Sequence, residues 1–292
     1  MKKFKSAIQF LSYWVSFTCL AIVVRGYEYG TGDQVLQIPL LKKIINPELY
    51  MSDMLFPWLY TNKTILYSLI IGLNRIIPHL EATFFLIYFL TQLLLFIGIY
   101  LLGNELMSNK LKSLLSCLLF IYPLPIGGSA TTTVDKLLLP RTITMMMSVY
   151  CLYFIFKKKV AITLITLGII FLIHPLTGVI LLVLILPVLF SIWGLRSKKK
   201  NMLFIGLICL LAGGVLLIPL KNNLNHLSTY FSSSNDWLEV LHVRNAYAFP
   251  LLWNYRGWLN LVVLVLPITY ALYMTNNIKN YLRSYIAYIL LA

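Results

Sequence analysis

The sequence predicts an all-α, polytopic membrane protein of about nine transmembrane helices, with a large outer loop after the first span. Three observations lead there. Apolar residues fill 60% of the 292 positions and charged residues only 11%, against about 25% charged in a soluble domain. Several apolar runs approach or exceed the roughly 18 residues that mark a spanning helix, and the mean hydropathy is +0.83. Lys and Arg gather in clusters between those runs, as the positive-inside rule describes. The alternating pattern of a membrane β-barrel is absent.

The elements follow in order. A first span is expected at 7–24, entered from the cytoplasm behind Lys2, Lys3 and Lys5. Its start looks like a signal peptide, but the run is long and no small-residue cleavage site follows. An outer loop fills 25–78. Further spans are expected at about 79–103, 111–125, 142–156, 160–173, 178–195, 202–220, 259–275 and 281–292. The apolar stretch Val160–Leu195 has basic clusters at both ends. A hairpin turning at His174–Gly178 returns both clusters to the cytoplasm. Its first leg, Val160–Ile173, is only about 21 Å of helix against a core of about 30 Å, so His174 is expected to lie recessed below the outer surface. The chain stops inside an apolar run and is read as the N-terminal part of a longer one, forming a single integral membrane domain.

On this topology the cytoplasmic face holds fourteen basic residues and one acid, Glu105, while the outer face holds ten basic and eight acidic residues. Acids hardly steer insertion, so their segregation is a functional signal. The net charge of +15 is accounted for by the cytoplasmic loops and calls for no nucleic acid. Cys19, Cys117, Cys151 and Cys209 all sit inside apolar runs and read as small buried hydrophobes, with no CxxC pair. The basic, Lys-, Ile- and Asn-rich composition points to a bacterial plasma membrane, with the N-terminus cytoplasmic and the acidic loops outside. The sequon Asn62-Lys63-Thr64 therefore carries little weight.

The stretch Arg25–Tyr60 concentrates Glu28, Asp33, Glu48 and Asp53. Gly26, Gly30 and Gly32 give it a tightly turning backbone. Gln34–Ile45 suits a short helix lying on the membrane surface, kinked by Pro39. Asp53–Tyr60 and Thr64–Ile77 read as further surface or re-entrant helices. The late outer loop Lys221–Trp258 carries Asp236, Glu239, His242 and several aromatic residues; it covers a site or caps the interface.

A first span, an acid-bearing outer loop with helices along the membrane, and more spans with short outer loops resemble the GT-C superfamily of membrane glycosyltransferases. The motifs GYEYGTGD (Gly26–Asp33), VDKLLLPRT (Val134–Thr142) and HPLTG (His174–Gly178) look like a bacterial GT-C-like branch. The resemblance implies transfer of a sugar from a polyprenyl-phosphate donor to an acceptor at the outer face, with membrane lipids around it. Such chemistry needs a carboxylate base for the acceptor hydroxyl and cations for the leaving phosphate.

Asp33 is the first candidate for the base; it could equally cap the Gln34 helix. Glu28, flanked by Tyr27 and Tyr29, is the second. Asp53 caps a helix or contributes to the site. Lys136 and Arg141 sit at a helix start, where a cation opposes the helix dipole unless an anion is bound. Pairing with Asp135 or with lipid headgroups is the plainer account of both. Arg25 binds phosphate or snorkels at a span end. His174 is a phosphate donor, a proton relay or a structural histidine. A lone histidine makes no metal site, and a divalent metal beside the acids stays open. Two other classes fit the same features: a transporter or lipid flippase, and a non-catalytic subunit of a cell-surface polymer assembly system.

Overall fold

The computed structural model describes residues 2–53, 56, 64–123 and 132–193, with isolated positions between 239 and 262. The expected spans at 202–220 and 281–292, all but two residues of that at 259–275, and most of the loop Lys221–Trp258 with Asp236, lie outside the described residues. The chain divides into two compact units, Met1–Pro123 with Val134–Leu181, and Leu124–Thr133 with Leu182–Ala292. In the second unit a short 3-10 turn spans Pro250–Leu252, and the Trp253 and Trp258 rings lie 5.0 Å apart.

Among the described residues the protein is all-helical. Helix α1 spans Lys2–Arg25, α2 Gln34–Ile45, α3 Ile65–Asn74 and α4 Leu80–Met107. Helix α5 spans Lys110–Leu119, α6 Pro140–Phe156, α7 Val160–Ile173 and α8 Pro175–Trp193. Local chemistry sets most boundaries. Ser108 stops α4 in a left-handed turn, and the Asn109 side chain accepts from Lys112 N to start α5. Pro140 opens α6 where its missing N–H costs nothing, and the Leu139 N–H donates to Thr142 Oγ1 at 3.1 Å. Left-handed Lys158 turns α6 into α7. The expected turn at His174–Gly178 is tighter than the sequence suggests: His174 alone breaks the helix and Pro175 begins α8.

Helix α4 is the axis of the first unit. Helices α1, α3, α5 and α6 pack on it, and α7 packs on α6. Trp14, Phe96, Ile99 and Cys117 form one core where α1, α4 and α5 meet. Ile38, Leu41, Leu66, Ile70, Phe84, Tyr88 and Leu138 form another beneath the two short helices. Close approach of α6 to α4 depends on Gly98, where an added Cβ would come within 3.0 Å of the Tyr150 ring.

Many large apolar side chains nevertheless face outward, among them Leu11, Leu90, Leu115, Ile165 and Leu172. Among the described residues one helix, α4, is long and apolar enough to cross a membrane by length and composition. Nine helices of spanning length are not present there. The run expected at 111–125 is helical only over the ten residues Lys110–Leu119, about 15 Å. Pro123 disfavours helical backbone at Tyr122, and the carbonyls at that end are taken by a side chain described below.

The α7–α8 hairpin is tightest at Gly178, where a Cβ would lie 2.7 Å from Phe171 Cγ. A collision with the root of a ring cannot be relieved by rotating a flexible tip. Gly178→Ala is expected to cost about 1–3 kcal/mol of stability, read from unfolding of the detergent-purified protein, and an unchanged midpoint would contradict this packing.

Candidate functional site

Two segments far apart in sequence dock at one end of the first unit. The loop Gly26–Asp33 turns through left-handed Gly26, Gly30 and Gly32, at φ 86°, 77° and 52°. It meets the segment Val134–Arg141, with Glu28 N donating to the Lys136 carbonyl at 3.0 Å. Gln34 clamps the pair from beneath. It is fully buried, donates from Nε2 to the Leu138 carbonyl (2.8 Å) and accepts the Gly30 N–H at Oε1 (2.9 Å). Tyr88 holds the other strand of chain by donating to the Asp135 carbonyl at 3.0 Å.

This docking brings charges together. Arg141 Nε and Nη2 donate to the two oxygens of Asp135, at 3.0 and 3.2 Å. Its Nη1 donates to Asp33 Oδ2 at 3.2 Å. The Asp33 side chain makes no capping bond to α2. Its contact is with Arg141, across 108 residues of sequence. Glu28 accepts from Thr31 Oγ1 at 3.0 Å and pairs with Lys136 at 3.6 Å. Four of the seven residues singled out from sequence thus lie in one cluster, with Asp135 as its fifth member. Asp53 is exposed and closes a turn, its N–H donating to the Tyr50 carbonyl at 3.4 Å. Among the described residues no group of three or more His, Cys, Asp or Glu is placed to hold a metal ion. The converging carboxylates of Asp33 and Asp135 already share the Arg141 guanidinium, which does not suit them to a divalent cation.

Arg25 differs from the expected phosphate ligand. Its side chain is buried, and its donors face inward. Nε donates to the Ile121 carbonyl (3.1 Å), Nη2 to the Phe120 carbonyl (2.5 Å) and Nη1 to Gln92 Oε1 (2.8 Å). The two carbonyls that follow the last turn of α5 are therefore satisfied by a cation, which also suits the negative end of the helix dipole. No carboxylate pairs with Arg25 among the described residues. Arg25→Gln should lose about 1–3 kcal/mol for each carbonyl left buried and unpaired. Arg25→Lys should recover only part, because an ammonium lacks the planar fork; unfolding of both variants in detergent would decide.

His174 closes α7 and caps α8. Its Nδ1 accepts from the Thr177 N–H at 3.3 Å and lies 2.7 Å from Thr177 Oγ1. Nδ1 is thereby kept as an acceptor, which places the proton of the neutral ring on Nε2. Burial lowers its pKa below 6.5, and the Arg141 charge lowers it further. In the unfolded chain the ring takes up a proton at higher pH than in the fold. Stability from His174 is therefore fully present above about pH 6.5 and falls as the pH drops below that value. His174→Gln should flatten that acid limb, and a limb unchanged by the substitution would assign it to another group.

Beside Glu28, Tyr27 packs on Phe85 and Tyr88, with ring centroids 5.1 and 5.0 Å apart. Tyr27, His79, Glu81 and Phe85 line an open groove of about 510 Å³. Burial raises the Tyr27 hydroxyl pKa most, with smaller contributions from Tyr29, Glu81 and Tyr88. Sequence reasoning passed over Gln34, Tyr88 and Gln92. The last two are polar residues four apart in an apolar run, hence on one helix face, and that spacing was the available signal. Comparison with protein families, with curated proteins and with solved structures finds no match for this chain.

Proposed function

We propose that this chain is a multi-span bacterial membrane protein of the GT-C glycosyltransferase type. It transfers a sugar from a polyprenyl-phosphate donor to an acceptor at the outer face. The observation that carries the reading is the direct Asp33–Arg141 contact at 3.2 Å. It joins a carboxylate in the first loop to a cation at a later helix start, the two groups the reaction requires. The opposite end of the same unit carries the Glu105–Lys157 pair, at 2.6 Å, beside Lys158 and Lys159. That separation supports a topology in which the acid-rich end faces outward.

The roles follow from the chemistry. Asp33 accepts the proton of the acceptor hydroxyl as its oxygen bonds to the anomeric carbon. The bond from that carbon to the phosphate oxygen breaks, and the electron pair leaves with the lipid phosphate. Arg141 and Lys136 neutralise the charge that develops there. The groove lined by Tyr27, His79 and Phe85 offers an acceptor sugar aromatic surface and the Glu81 carboxylate.

Transfer of labelled sugar from polyprenyl phosphate by the purified protein tests this. Asp33→Asn should lower turnover by about 10²–10⁴-fold. Arg141→Ala should mainly weaken donor binding, by about 1.5–3 kcal/mol. Full activity in Asp33→Asn with loss in Glu28→Gln moves the base to Glu28. Full activity in both variants, or no transfer at all, leaves the transporter or subunit reading as the better one.

A further inference from the structure

The Arg141 guanidinium is held very unequally by its two acids. A guanidinium has five N–H donors in a fixed plane. Nε and Nη2 are spent on both oxygens of Asp135, whose side chain is only 12% exposed. Asp135 is itself fixed: Thr142 Oγ1 donates to it at 3.3 Å, and its carbonyl accepts from Tyr88. On the far edge Nη1 gives one bond to Asp33, whose side chain is 63% exposed. The second donor of that edge, on Nη2, has no partner among the described residues. An exposed single-bond ion pair contributes little free energy. A phosphate can take the same edge with two parallel bonds.

We infer that Asp135 is a positioning residue that locks Arg141 by one edge, so that a phosphate ester bound on the other edge displaces Asp33. The inference rests on the proposed phosphate-dependent reaction and adds an order to it. Without donor, Asp33 covers the anion seat and its Oδ2 is engaged by Nη1. When the lipid phosphate arrives, two anions compete for Nη1. The singly bonded, exposed one leaves. Asp33 is then released beside the phosphate, where the acceptor hydroxyl must come. Donor binds first, and the base is uncovered by donor binding itself.

Farnesyl phosphate, titrated calorimetrically into the full chain in detergent micelles, tests this, with inorganic phosphate as the headgroup-only probe. Asp33→Asn keeps the side-chain size and removes the competing charge. It should bind farnesyl phosphate about two- to five-fold tighter than the unaltered protein. Asp135→Asn should bind at least about tenfold more weakly, and Asp135→Glu should recover part of the loss. Inorganic phosphate should follow the same order, at lower affinity. Unchanged or weaker binding in Asp33→Asn overturns the displacement, and unchanged binding in Asp135→Asn overturns the positioning role. Asp33 is exposed, so its variant tests the idea even where Asp135→Asn folds poorly. Tighter binding by Asp33→Asn together with full transfer activity upholds the displacement and removes Asp33 as base, which keeps the two readings apart.

Discussion

Burying the Arg25 guanidinium where α1, α4 and α5 meet imposes a condition on everything around it. A buried charge is tolerated only where most of its donors find good acceptors. Here the acceptors are the Phe120 and Ile121 carbonyls and the Gln92 amide oxygen. Meeting that condition ends α5 after ten residues, fixes the end of α1 against α4, and sets where the first loop leaves the bundle. The loop begins at the next residue, Gly26. The positions of Glu28 and Asp33 therefore descend from a bond that is not itself part of the charged cluster.

The cluster adds a second layer of constraint on top of the first. Tyr88 serves both: it lies 3.5 Å from Arg25 Nη1 and donates to the Asp135 carbonyl. One phenol thus links the buried lock to the residue that orients Arg141. Buried polar contacts support the partly exposed ones throughout. Gln34 and Asp135 are enclosed and multiply bonded, whereas Glu28 and Asp33 are exposed and lightly held. Rigid groups beneath and loosely tethered carboxylates above are an arrangement suited to exchanging one anion for another.

Much of the helical order was legible in the sequence, because proline, asparagine and lysine runs punctuate the apolar stretches. Val160–Ile173 is the same in the apolar pattern and in the structure. Asp33 and Arg141 were each candidates drawn from reaction chemistry, and the structure joins them directly. Other features were hidden for physical reasons. Capping and pairing of Asp33 differ only in side-chain direction, which tertiary contacts decide. Arg25 looked like a surface cation because its true acceptors are backbone carbonyls, which every residue has and no motif marks. The early end of α5 was illegible for the same reason, and the multi-span count rested on run length and basic clusters, neither of which fixes where a helix ends.

The Arg25 contacts also bear on how the chain is made. Its carbonyl partners are 95 and 96 residues downstream, and the Leu138 carbonyl that Gln34 bonds and the Arg141 guanidinium that Asp33 bonds are 104 and 108 residues away. At a ribosomal rate of about 5–20 residues per second, the Arg25 side chain waits about 5–20 s after synthesis before those carbonyls exist. Through that interval the end of α1 carries an unmatched charge and cannot settle into the bundle. The first loop is consequently among the last parts of this unit to take its final form, although it is among the first to be translated.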